Sequence, residues 1–254
     1  MNHSKRHAEI LRMLREEGTI SIAALASRLG VSLETVRRDV KPLTADGSIL
    51  KMHGAVGLAE HNGEAPLERR MRENAAAKRA IARDVATTIS DGDSVMLDTG
   101  TTTSFLAREL LGHRRLTVVT NSSDIARTLA TVNGNRVYMA GGELRSDSGA
   151  AFGVSAIEFI SRFSVDHAVI SAGAVDHEGI MDYDLEESEF ARTVLSRGAR
   201  TLVVTDRTKF GRRGLVRVCG LDAFSEIFTD AAPPDEIAAA LADAGALLRV
   251  AGPA

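Results

Sequence analysis

Two groups of residues in this chain of 254 amino acids have the types and spacing needed to bind an anion. The first contains the neighbouring arginines Arg37 and Arg38, which could bond the edges of bases or neutralise backbone phosphates. The second contains Gly100 and the run Thr101–Thr103, where backbone amides and hydroxyl groups could hold a phosphate at the start of a helix. The residues therefore offer nucleic-acid binding in one place and small-anion binding in another.

The spacing of apolar residues predicts the elements that position the arginine pair. It indicates a first helix that ends near Glu17, a second that Ser21 caps, and a third that begins near Leu33. Gly30 ends the second helix, so two short helices are joined by a tight turn, which is the arrangement of a helix-turn-helix. The apolar residues of the third helix face inward, and its polar side chains are left on the outer face.

A short β-ribbon, or wing, is expected after the third helix. Asp46-Gly47 is a turn signal, and residues 48–54 alternate sufficiently to form a strand. The predicted DNA contacts are polar residues of the third helix and the wing: Ser32, Glu34, Thr35, Arg37, Arg38, Lys41, Lys51 and His53. Taken alone, the arginine pair is equally consistent with a solvated surface, but its place in a helix-turn-helix favours DNA.

The distribution of charge supports this interpretation. The whole chain has a formal charge of −3, which by itself would argue against a nucleic-acid partner. Residues 1–58, however, carry nine basic and six acidic side chains, a charge of +3, whereas the remaining residues carry −6. A basic N-terminal part on an acidic body fits DNA binding that is confined to the N-terminal part.

The rest of the chain has the pattern of an α/β domain. Short β-branched runs alternate with helical stretches, which predicts βαβ units and a mainly parallel sheet. The candidate strands are Ser94–Asp98, Leu116–Thr120, Arg136–Ala140, His167–Ser171, Thr201–Thr205 and Ile227–Thr229. We therefore expect a winged helix-turn-helix DNA-binding domain at residues 1–58, a linker at residues 59–74, and an effector-binding α/β domain at residues 75–254.

Distinctive polar residues follow the predicted strands, where ligands of parallel sheets bind. The candidate effector-binding residues at these ends are Asp98, Thr99, Gly100, Thr101, Thr102, Thr103, Asn121, Ser122, Gly141, Gly142, Ser171, Gly173, Asp206 and Lys209. Each motif alone could be only a helix cap or a tight turn, but their convergence on one edge predicts a cradle for one phosphate and several hydroxyl groups. Four other carboxylates are expected to be mostly solvated: Asp166, Asp176, Asp182 and Asp184.

Composition excludes several classes of protein. Hydrophobic residues make up 44% and charged residues 26%, which is ordinary for a globular protein. No apolar run is long enough for a membrane helix and the N-terminus has no signal core, so we expect a cytoplasmic protein without a membrane partner. Cys219 is the single cysteine, which excludes an internal disulfide and is a poor basis for a metal site. Neither a metal nor another cofactor is expected.

The motifs resemble those of the DeoR family of bacterial repressors. The run Ser32-Leu-Glu-Thr-Val-Arg-Arg-Asp-Val40 is similar to the DNA-binding signature of that family, and His53-Gly54 follows it as in the family pattern. Pro42 departs from the pattern; a proline inside a helix removes a hydrogen bond and clashes with a carbonyl, so we expect the third helix to kink or end near Lys41.

The second half also resembles the effector domain of the DeoR family, through Leu97-Asp-Thr-Gly-Thr-Thr-Thr103, Val119-Thr-Asn-Ser122, Ala140-Gly-Gly-Glu-Leu-Arg145 and Asp206-Arg-Thr-Lys-Phe-Gly211. This resemblance implies a fold like that of ribose-5-phosphate isomerase and CoA-transferase-like proteins. Within the family, residues 182–184 and 229–234 are most similar to the glycerol-3-phosphate regulon repressors.

The resemblance implies a transcriptional repressor of carbohydrate or polyol metabolism genes. Its partners would be double-stranded operator DNA and a phosphorylated sugar or polyol, such as glycerol-3-phosphate, that relieves repression. A homodimer or homotetramer is expected because two recognition helices can then read a palindrome. The alternative is a sugar-phosphate isomerase with an accessory DNA-binding head, in which Asp98 or Glu187 would be the general base and Lys209 an electrophilic helper.

Overall fold

A computed structural model of the protein describes residues 3–17, 19–45, 48–52, 54–58 and 67–252. The chain divides into an N-terminal unit, Met1–Glu73, and a C-terminal unit, Asn74–Ala254. No helix within the described ranges is both long and apolar enough to span a bilayer.

The three predicted helices are present in the N-terminal unit. They are α1 (His3–Glu17), α2 (Ile22–Leu29) and α3 (Leu33–Ala45). The hydroxyl oxygen of Ser21 accepts a hydrogen bond from the Ala24 amide at 3.0 Å, which caps α2 as predicted. Gly30 ends the same helix in the left-handed conformation with φ 63°, where a side chain would be strained. The predicted helix-turn-helix is therefore confirmed.

A small antiparallel sheet completes the N-terminal unit. Its strands are β1 (Thr19–Ser21), β2 (Ile49–Met52) and β3 (Ala55–Leu58), in the order β1-β3-β2. Strands β2 and β3 form the predicted wing, whereas β1 was not expected because it has only three residues. The predicted turn at 46–47 and the wing residue His53 lie outside the described residues.

The prediction that Pro42 kinks or ends the third helix near Lys41 is wrong about the end of the helix. Helix α3 continues through Pro42 to Ala45. Proline removes only one hydrogen bond, to the carbonyl of Arg38, and both residues lie on the exposed face, where water can bind that carbonyl. Buried Val40 and Leu43 hold the same helix against the core of the unit.

The segment predicted as a linker contains a helix. Residues Leu67–Arg72 form α4, and α5 (Ala75–Ala86) follows after two residues. One face of α5 is buried and includes Ala80, Ile81 and Val85. Helix α4 has no buried residue, so no apolar pattern marked it in the sequence.

Seven parallel strands form the sheet of the C-terminal unit. They are β4 (Ser94–Leu97), β5 (Thr117–Thr120), β6 (Arg136–Met139), β7 (Val165–Ser171), β10 (Gly198–Val204), β12 (Glu226–Thr229) and β13 (Leu247–Val250), in the order β13-β12-β10-β7-β4-β5-β6. The chain moves outward from β4 in one direction through β5 and β6, then returns to place β7 on the other side of β4. The topological switch point therefore lies between β4 and β7.

Helices connect these strands, and a small second sheet stands apart from them. The helices are α6 (Thr101–Glu109), α7 (Ser123–Leu129), α8 (Val154–Ile160), α9 (Leu185–Leu195) and α10 (Asp235–Asp243). The small sheet contains β8 (Ala174–Asp176), β9 (Gly179–Asp182) and β11 (Val216–Cys219) in the order β11-β9-β8. The predicted combination of a winged helix-turn-helix and an α/β domain is confirmed, although the small sheet was not predicted.

A chain of ion pairs joins three neighbouring strands of the seven-stranded sheet. Glu226 is buried at the start of β12, and its carboxylate accepts hydrogen bonds from Arg200 in β10 and, at 3.1 Å, from Arg249 in β13. Burial alone would raise the pKa of Glu226, but the two arginines outweigh burial and hold this pKa below its ordinary value. The charged form of Glu226 therefore stabilises the fold.

We predict that Glu226→Gln lowers the free energy of unfolding at pH 7 by about 1–2 kcal/mol, because two charge-assisted hydrogen bonds weaken while the half-exposed arginines can still be hydrated. The folded-state pKa is depressed, so the contribution is present above the unfolded value of about 4.3 and is lost as the pH falls through the folded value. Urea unfolding at several pH values should show the difference between variant and wild type shrinking below about pH 4. Glu178→Gln, which breaks an exposed pair with Arg217, is the control and should change little. A pH-independent difference would contradict this explanation.

Candidate functional site

The outer face of α3 carries the polar residues that were predicted to contact DNA. Glu34, Arg37, Arg38 and Lys41 are all exposed, and their spacing of three and four residues places them on one side of the helix. The guanidinium of Arg37 lies 3.7 Å from the Glu34 carboxylate. Both side chains are well exposed, so this pair is weak and leaves Arg37 available for another anion.

Ser32 and Thr35 hold the start of α3 rather than projecting from its outer face. The Ser32 hydroxyl oxygen accepts a hydrogen bond from the Thr35 amide at 3.2 Å and lies 2.9 Å from the Thr35 hydroxyl. This arrangement caps the helix at the end that leads into the arginines. Lys51 lies in β2, in the wing, where the course of the backbone alone is described.

Asp39 is a residue of α3 to which the sequence analysis gave no role. Its carboxylate is fully buried and accepts two hydrogen bonds from Arg6 in α1, at 2.7 and 3.1 Å. A bidentate pair of this kind fixes both distance and orientation. Asp39 therefore holds α3 against α1, while its neighbour Arg38 faces outward. In the sequence, the only sign of this role is an acidic residue directly after two arginines.

The predicted effector residues that follow β4 and β7 meet at the switch point. The Asp98 carboxylate accepts a hydrogen bond from the Ser171 amide at 2.9 Å, and the Asp98 amide donates to the carbonyl of Val169. The backbone of Gly100 also approaches Ser171 so closely that a Cβ atom on residue 100 would lie 2.4 Å from the Ser171 Cβ. Gly100 is therefore required by the close packing of these two strand ends.

The first turn of α6 lies at this junction. Gly100 is its N-cap and provides no side-chain hydrogen bond, so the amides of the first turn are not capped by that residue. The three threonines, Thr101–Thr103, are buried. Thr103 donates its hydroxyl to the carbonyl oxygens of Asp98 and Gly100, at 3.1 and 3.0 Å, and so closes the turn itself.

Asn121 connects three segments at the carboxyl edge of the sheet. Its side-chain oxygen accepts a hydrogen bond from the Thr99 hydroxyl at 2.8 Å, and its side-chain nitrogen donates to the carbonyl of Ala151 at 3.0 Å. The next residue, Ser122, caps α7. Asn121 therefore holds the loop after β4 and the loop of residues 140–153, which contains exposed Gly141 and Gly142.

The remaining predicted residues follow β7 and β10. Gly173 is buried, and a Cβ there would lie 3.2 Å from the carbonyl oxygen of Met181. Asp206 is 2% exposed and caps a short 3-10 turn, residues 207–209, by accepting a hydrogen bond from the Thr208 amide at 3.0 Å. Lys209, the last residue of that turn, is half-buried. Parallel strands bring all of these ends to the same edge.

Sequence reasoning missed a buried cation in α5. Lys78 is 3% exposed, and it lies one turn after Asn74, whose side chain contacts Asp206. The Lys78 amide donates to the Asn74 carbonyl at 3.0 Å, so Lys78 lies in the first turn of α5. A lysine is rarely buried without a charged or polar environment, so the burial of Lys78 marks it as a candidate functional residue. The sequence alone does not show that this lysine is buried.

Arg145 is a second cation that sequence reasoning gave no role. Its guanidinium makes two hydrogen bonds to the Asp184 carboxylate, both 3.1 Å, and stacks 4.9 Å from the ring centre of Phe152. Burial would raise the pKa of Asp184, but the hydrogen bonds from Arg145 and from two backbone amides lower it below its ordinary value. This pair joins the loop of residues 140–153 to the start of α9.

Of the four carboxylates expected to be mostly solvated, Asp166 is exposed and Asp176, Asp182 and Asp184 are half-buried, and all four accept hydrogen bonds. Asp184 caps α9 and pairs with Arg145, and Asp182 accepts hydrogen bonds from two backbone amides. Asp176 accepts from the amides of a turn, and Asp166 accepts from the amide and hydroxyl of Ser94. Short acidic side chains can satisfy backbone amides in turns, and their sequence spacing does not reveal this role.

Comparison with known families identifies both units. Residues 6–62 match the model of the DeoR-like helix-turn-helix domain, and residues 73–231 match the model of the DeoR C terminal sensor domain. The chain belongs to the DeoR family. Its C-terminal unit is therefore a DeoR sensor domain.

Relatives in the DeoR family resemble this chain over nearly its whole length. It is 32% identical to the glycerol-3-phosphate regulon repressor of Escherichia coli over 96% of this chain and 97% of the relative. It is 34% identical to the HTH-type transcriptional repressor CsqR of Escherichia coli, over 94% and 92%. It is 32% identical to the lactose phosphotransferase system repressor of Lactococcus lactis, over 91% and 92%.

Solved structures resemble the DeoR sensor domain more distantly. Ribose 5 phosphate isomerase A from Neisseria gonorrhoeae is 16% identical, with a TM-score of 0.40 over 54% of this chain and 53% of that one. The beta subunit of eIF2B from Chaetomium thermophilum is 16% identical, with a TM-score of 0.45 over 66% and 53%. Likeness at this level supports no conclusion about activity.

We predict that Gly100→Ala lowers the free energy of unfolding of the sensor domain by about 1–3 kcal/mol, because the added methyl group forces the ends of β4 and β7 apart. Urea unfolding followed by circular dichroism measures the change. Gly112→Ala is the matched control: it lies in the same domain, and its added methyl group would meet nothing within 4 Å. Equal stabilities for the two variants would show that the strand ends are not packed as closely as described.

Proposed function

We propose that this protein is a sequence-specific transcriptional repressor whose sensor domain binds a phosphorylated sugar or polyol, and that this effector releases it from operator DNA. The observation that carries the proposal is the union, in one chain, of an exposed arginine face on α3 with a polar switch point between β4 and β7. The relatives that are named as repressors of sugar or glycerol-3-phosphate regulons support the same reading.

In this proposal α3 enters the major groove, and the wing lies on the neighbouring backbone. Arg37 and Arg38 read guanine edges or neutralise phosphates, and Lys41 and Lys51 contribute further positive charge. His53 belongs to the same proposed contact surface. The working form is a homodimer or homotetramer, because two copies of α3 about one DNA turn apart would read a palindrome.

The proposed effector site lies across the switch point. The amides and hydroxyls at the start of α6 receive the phosphate, and Lys209 and Lys78 supply positive charge that a phosphate dianion needs. The hydroxyl groups of the effector meet the polar groups of Thr99, Asn121 and the loop of residues 140–153. Glycerol-3-phosphate is the first compound to test, because it is named in several relatives.

We assign DNA binding and effector binding to separate parts of the chain. Residues 1–58 bind DNA, residues 59–74 connect the two parts, and residues 75–254 bind the effector. The protein would act in the cytoplasm, where bacterial DNA is found, and needs no metal or cofactor for this function.

The isomerase alternative receives no support from the candidate bases. The Glu187 carboxylate lies 3.5 Å from the Arg145 guanidinium, and one Asp98 oxygen accepts the Ser171 amide. Both carboxylates are thereby held in roles that stabilise the strand ends and α9. A general base would instead need to reach a proton of the substrate.

We predict that Arg37→Ala and Arg38→Ala each weaken operator binding by about 5- to 150-fold while the fold is retained, since one good base contact is worth about 1–3 kcal/mol. The measurement is fluorescence anisotropy with a duplex selected from a random library by the wild-type protein. Arg12→Ala is the control, because Arg12 is exposed on α1 and pairs with Glu9. An arginine whose loss leaves binding unchanged does not take part in recognition. A loss of affinity that depends on the salt concentration and not on the base sequence would identify a phosphate contact.

We also predict that one compound among glycerol-3-phosphate, dihydroxyacetone phosphate, fructose-1-phosphate and fructose-6-phosphate stabilises the protein against heat. A ligand at about 100 times its dissociation constant should add about 2.7 kcal/mol of apparent stability. Lys209→Ala should abolish that shift but retain operator binding, whereas Arg213→Ala, an exposed cation a few residues later, should behave as wild type. A flat panel for the wild type would argue against a phosphate site that accepts these compounds.

A further inference from the structure

Asn74 has an unusual backbone conformation at the first residue of the sensor domain. Its φ and ψ are 53° and 31°, which is the left-handed region that few residues other than glycine adopt. Asparagine tolerates this region better than most residues do. Asn74 occupies the N-cap position of α5, and its carbonyl accepts the first helical hydrogen bond, from the Lys78 amide at 3.0 Å.

The side chain of Asn74 does not cap its own helix. Its amide nitrogen instead donates to the Asp206 carboxylate at 3.2 Å and to the Thr208 hydroxyl at 3.4 Å. Both acceptors belong to the short turn that ends at Lys209. The same oxygen of Asp206 also accepts hydrogen bonds from the amide and hydroxyl of Thr208, at 3.0 and 2.5 Å. This single oxygen therefore organises the turn and holds Asn74 at the same time.

The other side of this turn is attached to the core of the sheet. The Asp230 carboxylate, which is 6% exposed at the end of β12, accepts hydrogen bonds from the backbone amide and the guanidinium of Arg207, both at 2.6 Å. The turn is thus fixed to the sheet through Arg207 and to the start of α5 through Asn74. A displacement of Asp206 relative to the sheet would act directly on Asn74.

Asn74 also occupies a special place in the chain. The N-terminal unit ends at Glu73, and the sensor domain begins at Asn74. Two hydrogen bonds therefore connect a turn of the proposed effector site to the residue at which the polypeptide passes from one unit to the other. Asp206 and Asn74 are 132 positions apart in the sequence, so only the fold creates this connection.

We propose that Asn74 is a positioning residue that transmits effector binding at the Asp206–Lys209 turn to the DNA-binding unit. The inference rests on the proposed function, because it concerns the regulation of the same site. Effector contact with the turn changes the position of Asp206, and the Asn74 amide carries this change to the start of α5. Asparagine suits the role because it combines a side-chain donor with tolerance of the left-handed conformation.

The test separates coupling from binding. Asn74→Gly retains the left-handed conformation but removes both hydrogen bonds, and Asn74→Asp replaces the donor with a carboxylate that repels Asp206. The matched control is Asn133→Gly. Asn133 is also left-handed, with φ 50°, and its side-chain nitrogen also makes two hydrogen bonds, but it precedes β6 at the amino edge of the sheet.

Operator affinity is measured for the full-length variants with and without glycerol-3-phosphate, or another compound of the panel if that one acts on the wild type. The ligand should weaken operator binding by wild type and by Asn133→Gly by a factor within the usual range of about 5 to 150. For Asn74→Gly and Asn74→Asp this factor should fall to about twofold or less, while each separate affinity stays within about threefold of wild type. Thermal shift measures the ligand affinity without DNA.

The outcomes separate a failure of the coupling through Asn74 from a failure of the proposed function. A wild type that responds to no compound of the panel overturns the proposed effector site for these compounds, and the coupling that rests on it falls with it. A wild type that responds, alongside an Asn74→Gly variant that responds equally, overturns the coupling and leaves the proposed function intact. Loss of ligand binding by the variant would make Asn74 part of the binding site and would also overturn the coupling. If Asn74→Gly does not fold, Asn74→Asp decides by the same criteria.

Discussion

The close approach of the ends of β4 and β7 is the constraint on which the sensor domain depends. The two strands are neighbours in the sheet, and the Asp98 carboxylate and the Gly100 backbone join their carboxyl ends at Ser171. Because residue 100 has no side chain, the first turn of α6 can begin directly beside β7. The same contact leaves the amides of that turn at the switch point, where a parallel sheet offers its ligand site.

The larger elements could be predicted from the sequence because each buries a recognisable apolar pattern. Strand β7 contains the buried apolar run Ala168–Ile170, and the cap at Ser21 and the turn at Gly30 follow simple local rules. The small sheet of β8, β9 and β11 escaped prediction because its strands pair antiparallel and do not follow the strand-helix alternation that marks the main sheet. Helix α3 escaped the expected interruption at Pro42 because tertiary packing outweighs the loss of one hydrogen bond at an exposed position.

The candidate site was predicted as a set of residues, but the contacts that organise it could not be. Three of the predicted residues lie at the predicted edge: Asn121, Thr103 and Asp206. Each makes hydrogen bonds to nearby protein groups, because buried polar groups need partners. Lys78 and Asn74 were missed since their importance comes from burial and from contacts across the fold. The assignment of Lys78 and the edge residues to an effector site is a proposal, whereas membership of the DeoR family rests on both units of the chain.

The strand order also determines the stage of folding at which the switch point between β4 and β7 forms. Strands β4, β5 and β6 follow one another in the chain and pair as neighbours, so they can assemble through short-range contacts. Pairing of β7 with β4 must close a much longer loop, with a larger loss of chain entropy. Because residues on both sides of this junction form the proposed site, the site is completed only when the two halves of the sheet dock. A ligand bound there would therefore hold together the pair of neighbouring strands whose pairing requires the longest loop closure in the sheet.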